Sequence, residues 1–395
     1  MTKQIAVITH SPYPMEPRAR RMAEALAAAG HAVDVFALRY PGEKPQEAVG
    51  GVMVYRLPVT RHQGGGALTY LAEYFEFFVL AAWRLLRRHL RRRYALVQVY
   101  NPPDILAFCT LPLRLLSGTR VVLDVRDMAP ELFMSRFNLH PAHPVTRLLR
   151  ANERWACAFA DAVTVCTTHQ FDVMAGRGIP RSRMHIIMNC PDETIFDRPV
   201  QARKREGFTV LYHGGVLLRY GLDVLIRAVP TMAAEIPDLR VEIYGMGDYL
   251  PQAQRLASDL GLTGVVRFHP RLPLESMPEI LRAADVGVAP VRRDVFTDTI
   301  LPTKLIEYAY MEVPAVAART STISEYFTDD MAAFFESGDP EDLARQVVYL
   351  YRHPDAAMAM AARARRFTEA HNWQHDRAAY LALVSHLIGQ PGDGD

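Results

Sequence analysis

Short apolar runs alternating with amphipathic helical stretches, in two successive series, constrain this chain more than any other feature. Residues 5–9 read as a buried strand, 17–29 as a helix closed by Gly30, and 32–38 as the next strand. Runs that are apolar throughout belong to parallel strands covered on both faces, whereas a half-exposed strand would alternate. The series continues with strands expected at 52–57, 95–100, 120–125, 162–166 and 185–188, and helices between them, including 144–160. Residues 189–207, rich in Pro, charge and small side chains, read as a linker. A second series then places strands at 209–212, 240–244, 265–269, 286–289, 315–318 and 333–335. Its helices are expected at 222–235, 251–260, 274–284 and 302–310. The expected fold is α/β, with two doubly wound, Rossmann-like domains facing each other across a cleft. The expected boundaries are 1–195, 196–370, and a helical tail at 371–395 that packs back toward the first domain.

Bulk properties agree with this and exclude other classes. A chain of 395 residues is too long for one typical core. A net charge of +2 argues against a protein made mainly to coat nucleic acid. Cys109, Cys157, Cys166 and Cys190 show no CxxC spacing, so reduced core thiols are expected in place of a zinc site or disulfide framework. His371 and His375 have the i,i+4 spacing of a helical metal pair, but no carboxylate lies between them, and no metal is expected. The opening MTKQIAVITH is too short in apolar residues for a signal peptide, and no segment reaches the ~20 apolar residues of a membrane span. A cytoplasmic location is the expectation.

Three loops, each after a strand of the second series, carry ligand-type residues. In FTDTILPTKLIEYAYMEVPAVAA (296–318), Pro302 opens a short helix, where its missing N–H costs nothing. The free N–H groups of that turn and the positive end of the helix dipole suit an anion. Lys304 lies in the turn and Glu307 follows on the same side, a spacing that suits phosphates and ribose hydroxyls respectively. A surface helix with an ordinary i,i+3 ion pair would read the same way. His213-Gly214-Gly215 closes the first strand of the series, where glycine permits close backbone approach, and Arg219 offers a planar fork to a pyrophosphate. Tyr244-Gly245-Met246-Gly247 closes the second strand.

These pieces, in order, resemble the retaining glycosyltransferases of family 4, which have the two-domain GT-B fold. The matching stretches are EPRARRMAEALAAAGHAVDVFAL, DAVTVCTTHQFDVM, IIMNCPDETIF, YHGGVLLRYGLDVLIRAV, YGMG with RFHPRLP, and ADVGVAP with LPTKLIEYAYMEVPAVA. The resemblance implies a UDP- or GDP-linked sugar donor, held mainly by the second domain, and no cofactor besides. Arg219 and Lys304 would bind the diphosphate, Glu307 the ribose, and backbone at Arg271 and Leu272 the base. The loop formed by Thr299, Ile300 and Leu301 would meet the sugar and phosphate, and Gly214, Gly215 and Gly245 would line the site. Family members often carry a Glu where Thr299 stands, a departure that points to a modified or deoxy sugar. They also carry an Arg and a Lys where this chain has Gly215 and Tyr220, so Arg219 must substitute.

In the first domain, Arg126-Asp127 stands where family members commonly show His-Asp. Asp127 is a candidate to orient the acceptor hydroxyl or take its proton, with Glu131 as the second candidate; the alternative is an Asp–Arg pair capping the next helix. Residues 68–93 carry Tyr70, Tyr74, Phe75, Phe77, Phe78 and Trp83, then Arg84, Arg87, Arg88, Arg91, Arg92 and Arg93. Such a helix can lie in an anionic membrane interface or pack as a core helix with a solvated end. The expected function is retaining sugar transfer from a nucleotide sugar to a lipid-linked or polysaccharide acceptor in cell-surface glycan synthesis. The alternatives are a sugar-nucleotide epimerase of the same fold and a non-catalytic nucleotide-sugar or membrane-binding scaffold.

Overall fold

The computed structural model describes residues 2–60, 66–198 and 207–389. The chain divides into two compact units, residues 1–188 with 374–395, and residues 189–373.

The first unit contains β1 (Gln4–Pro12), β2 (Ala32–Leu38), β3 (Gln46–Val49), β4 (Val52–Leu57), β5 (Tyr94–Tyr100), β6 (Arg120–Val125), β7 (Ala162–Val165) and β8 (Met184–Ile186). They form one sheet in the order β3-β4-β2-β1-β5-β6-β7-β8, parallel except for the β3–β4 pair. The apolar runs of β1, β2 and β5 to β7 are buried on both faces, as their composition requires. The antiparallel edge strand β3 has no counterpart in the sequence reading: QEAV carries no apolar run, and its pairing with β4 follows from the Gly50-Gly51 turn, where both glycines have positive φ. The helices are α1 (Pro17–Ala28), α2 (Ala67–His89), α3 (Leu111–Ser117), α4 (Ala129–Phe137), α5 (Pro144–Phe159) and α6 (Thr168–Gly176). On one face of the sheet α2, α3 and α5 bury Phe77, Ala81, Leu85, Leu113, Ala156 and Cys157 in a common core with Ile8, Val97 and Leu123.

The second unit contains α7 (Glu193–Phe196), β9 (Phe208–Gly215), α8 (Leu222–Glu235), β10 (Leu239–Met246), α9 (Leu250–Asp259) and β11 (Val266–His269). It continues with α10 (Met277–Arg282), β12 (Val286–Ala289), α11 (Thr303–Tyr310), β13 (Ala315–Ala318), α12 (Ser321–Tyr326) and β14 (Ala333–Phe335), followed by α13 (Pro340–Arg352) and α14 (Pro354–Ala370). Its all-parallel sheet has the order β11-β10-β9-β12-β13-β14. Counted within the sheet this is 3-2-1-4-5-6, and the direction of winding reverses between β9 and β12. An open α/β sheet binds its ligand at the carboxyl ends of the strands at such a switch point.

The tail divides. α14 belongs to the second unit, whereas α15 (Trp373–Gly389) packs on the first. The Tyr380 hydroxyl donates to Gln98, and the Asp376 carboxylate accepts from the backbone N–H of Met188 at 2.7 Å. The first contact is buried and the second partly buried, which explains how a helix so distant in sequence is fixed on the first sheet.

Candidate active site

In the second unit, β9 delivers Tyr212, His213, Gly214 and Gly215 to the switch point. Gly214 has a φ of +110°, a conformation that glycine alone adopts readily. A Cβ at this position would lie 3.6 Å from Cε and 3.9 Å from Nζ of Lys304, so the strand end meets the first turn of α11. Pro302 is the N-cap of α11, so the helix starts one place later than expected, with Thr303 and Lys304 as its first helical residues. Pro302 supplies no side-chain cap to this turn, in which the Leu305 N–H bonds the Pro302 carbonyl at 3.0 Å.

Lys304 is 7% exposed. Its ammonium stands 3.9 Å from the centroid of the Tyr212 ring and 5.8 Å from that of Tyr220, the placement of a cation over aromatic faces. Lys304 makes no ion pair within 4 Å among the described residues. Burial pushes its amine down to about 7, and the charge of Glu307 pulls the other way. Glu307, one turn along, places Oε2 3.4 Å from Nε2 of His213. Burial and the charge of Lys304 hold His213 down at about 3, so the imidazole is neutral and this contact is not an ion pair. Nε2 of His213 is buried without a hydrogen-bond partner. The ring stands perpendicular to Tyr308, whose hydroxyl donates to the carbonyl of Leu211 at 3.0 Å.

Arg219 lies in the turn Leu218–Tyr220, its guanidinium 5.5 Å from the Phe296 ring centroid and 5.9 Å from that of Tyr220. The carbonyl of Phe296 accepts the Thr299 hydroxyl at 2.7 Å. Phe296 thus lies beside Arg219 and is bonded by Thr299. Ile300 and the buried Leu301 lead from that turn into α11. The structure thus brings together Gly214, Gly215, Arg219, Thr299, Lys304 and Glu307. Gly245 is buried, and a Cβ on it would fall 2.1 Å from the Gly214 carbonyl, so its immediate role is to let β10 lie against β9. Arg271 and Leu272 follow β11, on the far side of β10 from the cluster. Tyr212 and Tyr220 stand in the same cluster and are not among the site candidates that the sequence offers, whereas His213 lies within the His213-Gly214-Gly215 motif. Tyr220 did carry a signal, because it replaces an expected lysine.

In the first unit, Asn101 opens the loop after β5 and organises the one after β6. Its Nδ2 donates to the Asp127 carbonyl and to Oδ1 of Asp104, both at 2.7 Å, and its Oδ1 accepts from the backbone N–H groups of Arg126 and Asp127. Arg126 binds Glu16 at 2.7 Å and Asp127 at 3.2 Å. The Asp127 side chain remains 24% exposed. The Asp–Arg pair exists but caps nothing: Met128 is the N-cap of α4 and provides no side-chain hydrogen bond. Glu131 is buried and held by Arg177, which also binds Glu153 at 2.9 and 3.1 Å. Among the described residues no group of His, Cys, Asp or Glu is placed to hold a metal ion; His371 stacks on Phe367 instead.

Two parallel-dominated α/β sheet units, the second with Lys304 and Arg219 near its switch point, agree with the GT-B architecture. A family model described as Glycosyl transferase 4-like domain matches residues 15–190, and one described as Glycosyl transferases group 1 matches residues 193–367. The chain belongs to the GT-B glycosyltransferases, in family 4. A GDP-mannose-dependent alpha-(1-6)-phosphatidylinositol monomannoside mannosyltransferase from Mycolicibacterium smegmatis is 33% identical over 47% of this chain and 51% of its own length. A D-inositol 3-phosphate glycosyltransferase from Thermomonospora curvata is 29% identical over 44% of this chain and 42% of its own. The chain thus spans about half the length of the curated relatives it matches. Among solved structures, a sucrose-phosphate synthase from Thermosynechococcus elongatus has a TM-score of 0.77 at 17% identity, covering 98% of this chain and 99% of that one. The Anabaena HepE protein in complex with UDP-glucose has a TM-score of 0.72 at 14% identity, covering 97% and 100%. At these identities the likeness is one of fold.

Proposed function

We propose that this protein transfers a sugar, with retention at the anomeric carbon, from a GDP- or UDP-linked donor to a lipid-linked or polysaccharide acceptor in cell-surface glycan synthesis. The observation that carries the reading is Lys304: a buried amine at the switch point, laid on Tyr212 in the first turn of α11, with no ion pair within 4 Å among the described residues. A buried cation is costly unless an anion joins it, and a diphosphate supplies one. Lys304 and Arg219 take the diphosphate and meet the negative charge that builds on the departing nucleotide, a task that requires no metal. Glu307 binds the ribose, the Thr299–Leu301 loop meets the sugar, and the residues after β11, Arg271 and Leu272, meet the base. The donor-binding half runs over 196–370. The acceptor half is 1–195, completed by 371–395, with Asp127 orienting the acceptor hydroxyl or taking its proton. Asp127 is preferred to Glu131 because its carboxylate is partly exposed, whereas that of Glu131 is enclosed by Arg177. The relatives named for phosphatidylinositol mannosides support a lipid acceptor, met by a protein peripheral to the cytoplasmic face of the membrane through the α2 region.

The test pairs a thermal-shift panel of nucleotide sugars with transfer of labelled sugar into extractable lipid or polysaccharide. A bound donor at about 100 times its Kd adds ~2.7 kcal/mol. Stabilisation by one nucleotide class, together with labelled glycan, is expected. No shift with any nucleotide sugar contradicts the donor site, and conversion of the donor without any acceptor favours the epimerase.

A further inference from the structure

The outer side of the layer formed by α2, α3 and α5 is apolar where a solvated surface would be polar. α2 turns Tyr70, Phe77, Ala81 and Leu85 inward and leaves Leu71, Phe75, Val79, Trp83 and Leu90, just past its end, exposed, Phe75 by 69%. α3 adds Leu115, 78% exposed, with Leu111 and Leu116. α5 adds Leu148 and Trp155, each more than 60% exposed, and Val145. The helices lie side by side. Cys109, just before α3, donates to the carbonyl of Phe78 in α2, and Ser117 at the end of α3 meets His89 at the end of α2. On the other side, Arg114 of α3 bonds the carbonyl of Phe159 in α5 and lies over its ring, and Phe108 packs on the same ring. Scattered exposed apolar residues are ordinary, but three neighbouring helices that share one apolar face mark an interaction surface.

The charges on this layer decide what covers it. Arg87, Arg147 and Arg154 are exposed, Arg84 is half-buried, and the exposed run Arg91-Arg92-Arg93 follows α2; among the described residues of the three helices, Glu76 is the one exposed carboxylate. The guanidinium groups of Arg84 and Arg87 stand 5.7 and 5.5 Å from the Trp83 ring centroid. Indole beside arginine is the pattern of a side chain seated at headgroup depth, with its apolar body below and its charge at the phosphates. A second copy of the chain would bring like charges together across such a face. An anionic bilayer surface satisfies both the apolar side chains and the arginines. No helix among the described residues is long and apolar enough to cross a membrane, so the contact is lateral. The winding of the first sheet reverses between β1 and β5, and the start of α2 reaches that switch point: Glu73 lies 3.2 Å from Nε2 of His10, near the end of β1, while Arg136 of α4 lies over Tyr70.

We propose that the outer faces of α2, α3 and α5 form one docking surface for an anionic lipid bilayer, which holds the acceptor loops of this unit at headgroup level. The assignment deepens the lipid-acceptor reading and rests on it for its purpose, but the surface is tested without catalysis. The full chain is floated with phosphatidylcholine vesicles, with and without phosphatidylglycerol, at low and physiological salt. Wild type should float with the anionic vesicles only, and less at higher salt. The triple variant Phe75→Ser, Trp83→Ser, Leu115→Ser should lose at least about tenfold in partition coefficient. Arg87→Gln and Arg91→Gln should each lose about fivefold. Both sets should keep the wild-type melting temperature and donor-induced thermal shift. The proposal is overturned if wild type stays with the soluble fraction, if the variants float as wild type does, or if the chain is a dimer that Trp83→Ser splits. Flotation without sugar transfer would leave the surface standing and sink the enzymatic reading; transfer to lipid without flotation would do the opposite.

Discussion

The two switch points treat charge in opposite ways. In the first unit nearly every buried charge has its partner: Arg18 and Asp124 are both fully buried and meet at 2.8 Å, Arg126 is shared by Glu16 and Asp127, and Arg177 holds Glu131 and Glu153. In the second unit Lys304 rests on aromatic rings and His213 is kept neutral beside it. Closed networks fix loops, whereas an unmatched buried cation reserves a place for an anion. The contrast separates Glu131, enclosed in a structural cluster, from Lys304, to which the proposed function assigns the donor diphosphate.

The largest effect should come from opening a closed network. Asp124→Asn leaves Arg18 buried without its counter-charge and turns one of the two oxygens that accept from Arg18 and Thr164 into a donor. A loss of about 3–5 kcal/mol in unfolding free energy is expected by denaturant titration, with the donor Kd unchanged in the folded fraction. A loss below about 1 kcal/mol would contradict the reading of this pair as structural. At the other switch point, Lys304→Ala should leave stability near wild type and raise the barrier to transfer by roughly 2–4 kcal/mol, as should Glu307→Ala. Near-wild-type rates in both would remove the donor site from this crevice. Asp127→Asn should slow transfer about a hundredfold without weakening the donor, whereas Glu131→Gln should act mainly on stability; the reverse pattern would exchange their roles. The smallest effect is on pH. The free Lys304 amine is charged below about 7 and loses its proton as pH rises through that value. Donor Kd should therefore weaken by up to about tenfold per unit above 7, and Lys304→Arg should flatten the profile.

Much of this arrangement is legible in the chain because strand composition and loop position come from local rules. The buried runs of β1, β5, β9 and β12 are apolar wherever a doubly wound sheet needs them, and the TKLIE segment starts α11 at the expected place within one residue. What was not legible depends on contacts between distant segments. Glu131 reads as an available acid until Arg177, far along the chain, is seen to enclose it. Gly245 reads as a ligand-lining glycine until the Gly214 carbonyl is found against it. Tyr212 reads as one more core residue of β9, and its second role appears only when α11 lays Lys304 on its ring. The edge strand β3 has no apolar face, so periodicity offers nothing to find. The outer faces of α3 and α5 are similar: nothing in LPLRLL tells which leucines face out, and of the four Leu113 alone is buried.

The most direct test of the central claim is calorimetric titration of GDP-mannose and UDP-glucose into the full chain slightly above pH 7, in two buffers of different ionisation enthalpy. If the buried amine of Lys304 is kept for the diphosphate, the donor that binds will draw a proton from the buffer. The heats will then differ between buffers, and the difference will vanish in Lys304→Arg, which stays charged. Tight donor binding with buffer-independent heats, or binding undiminished in Lys304→Ala, would contradict the account.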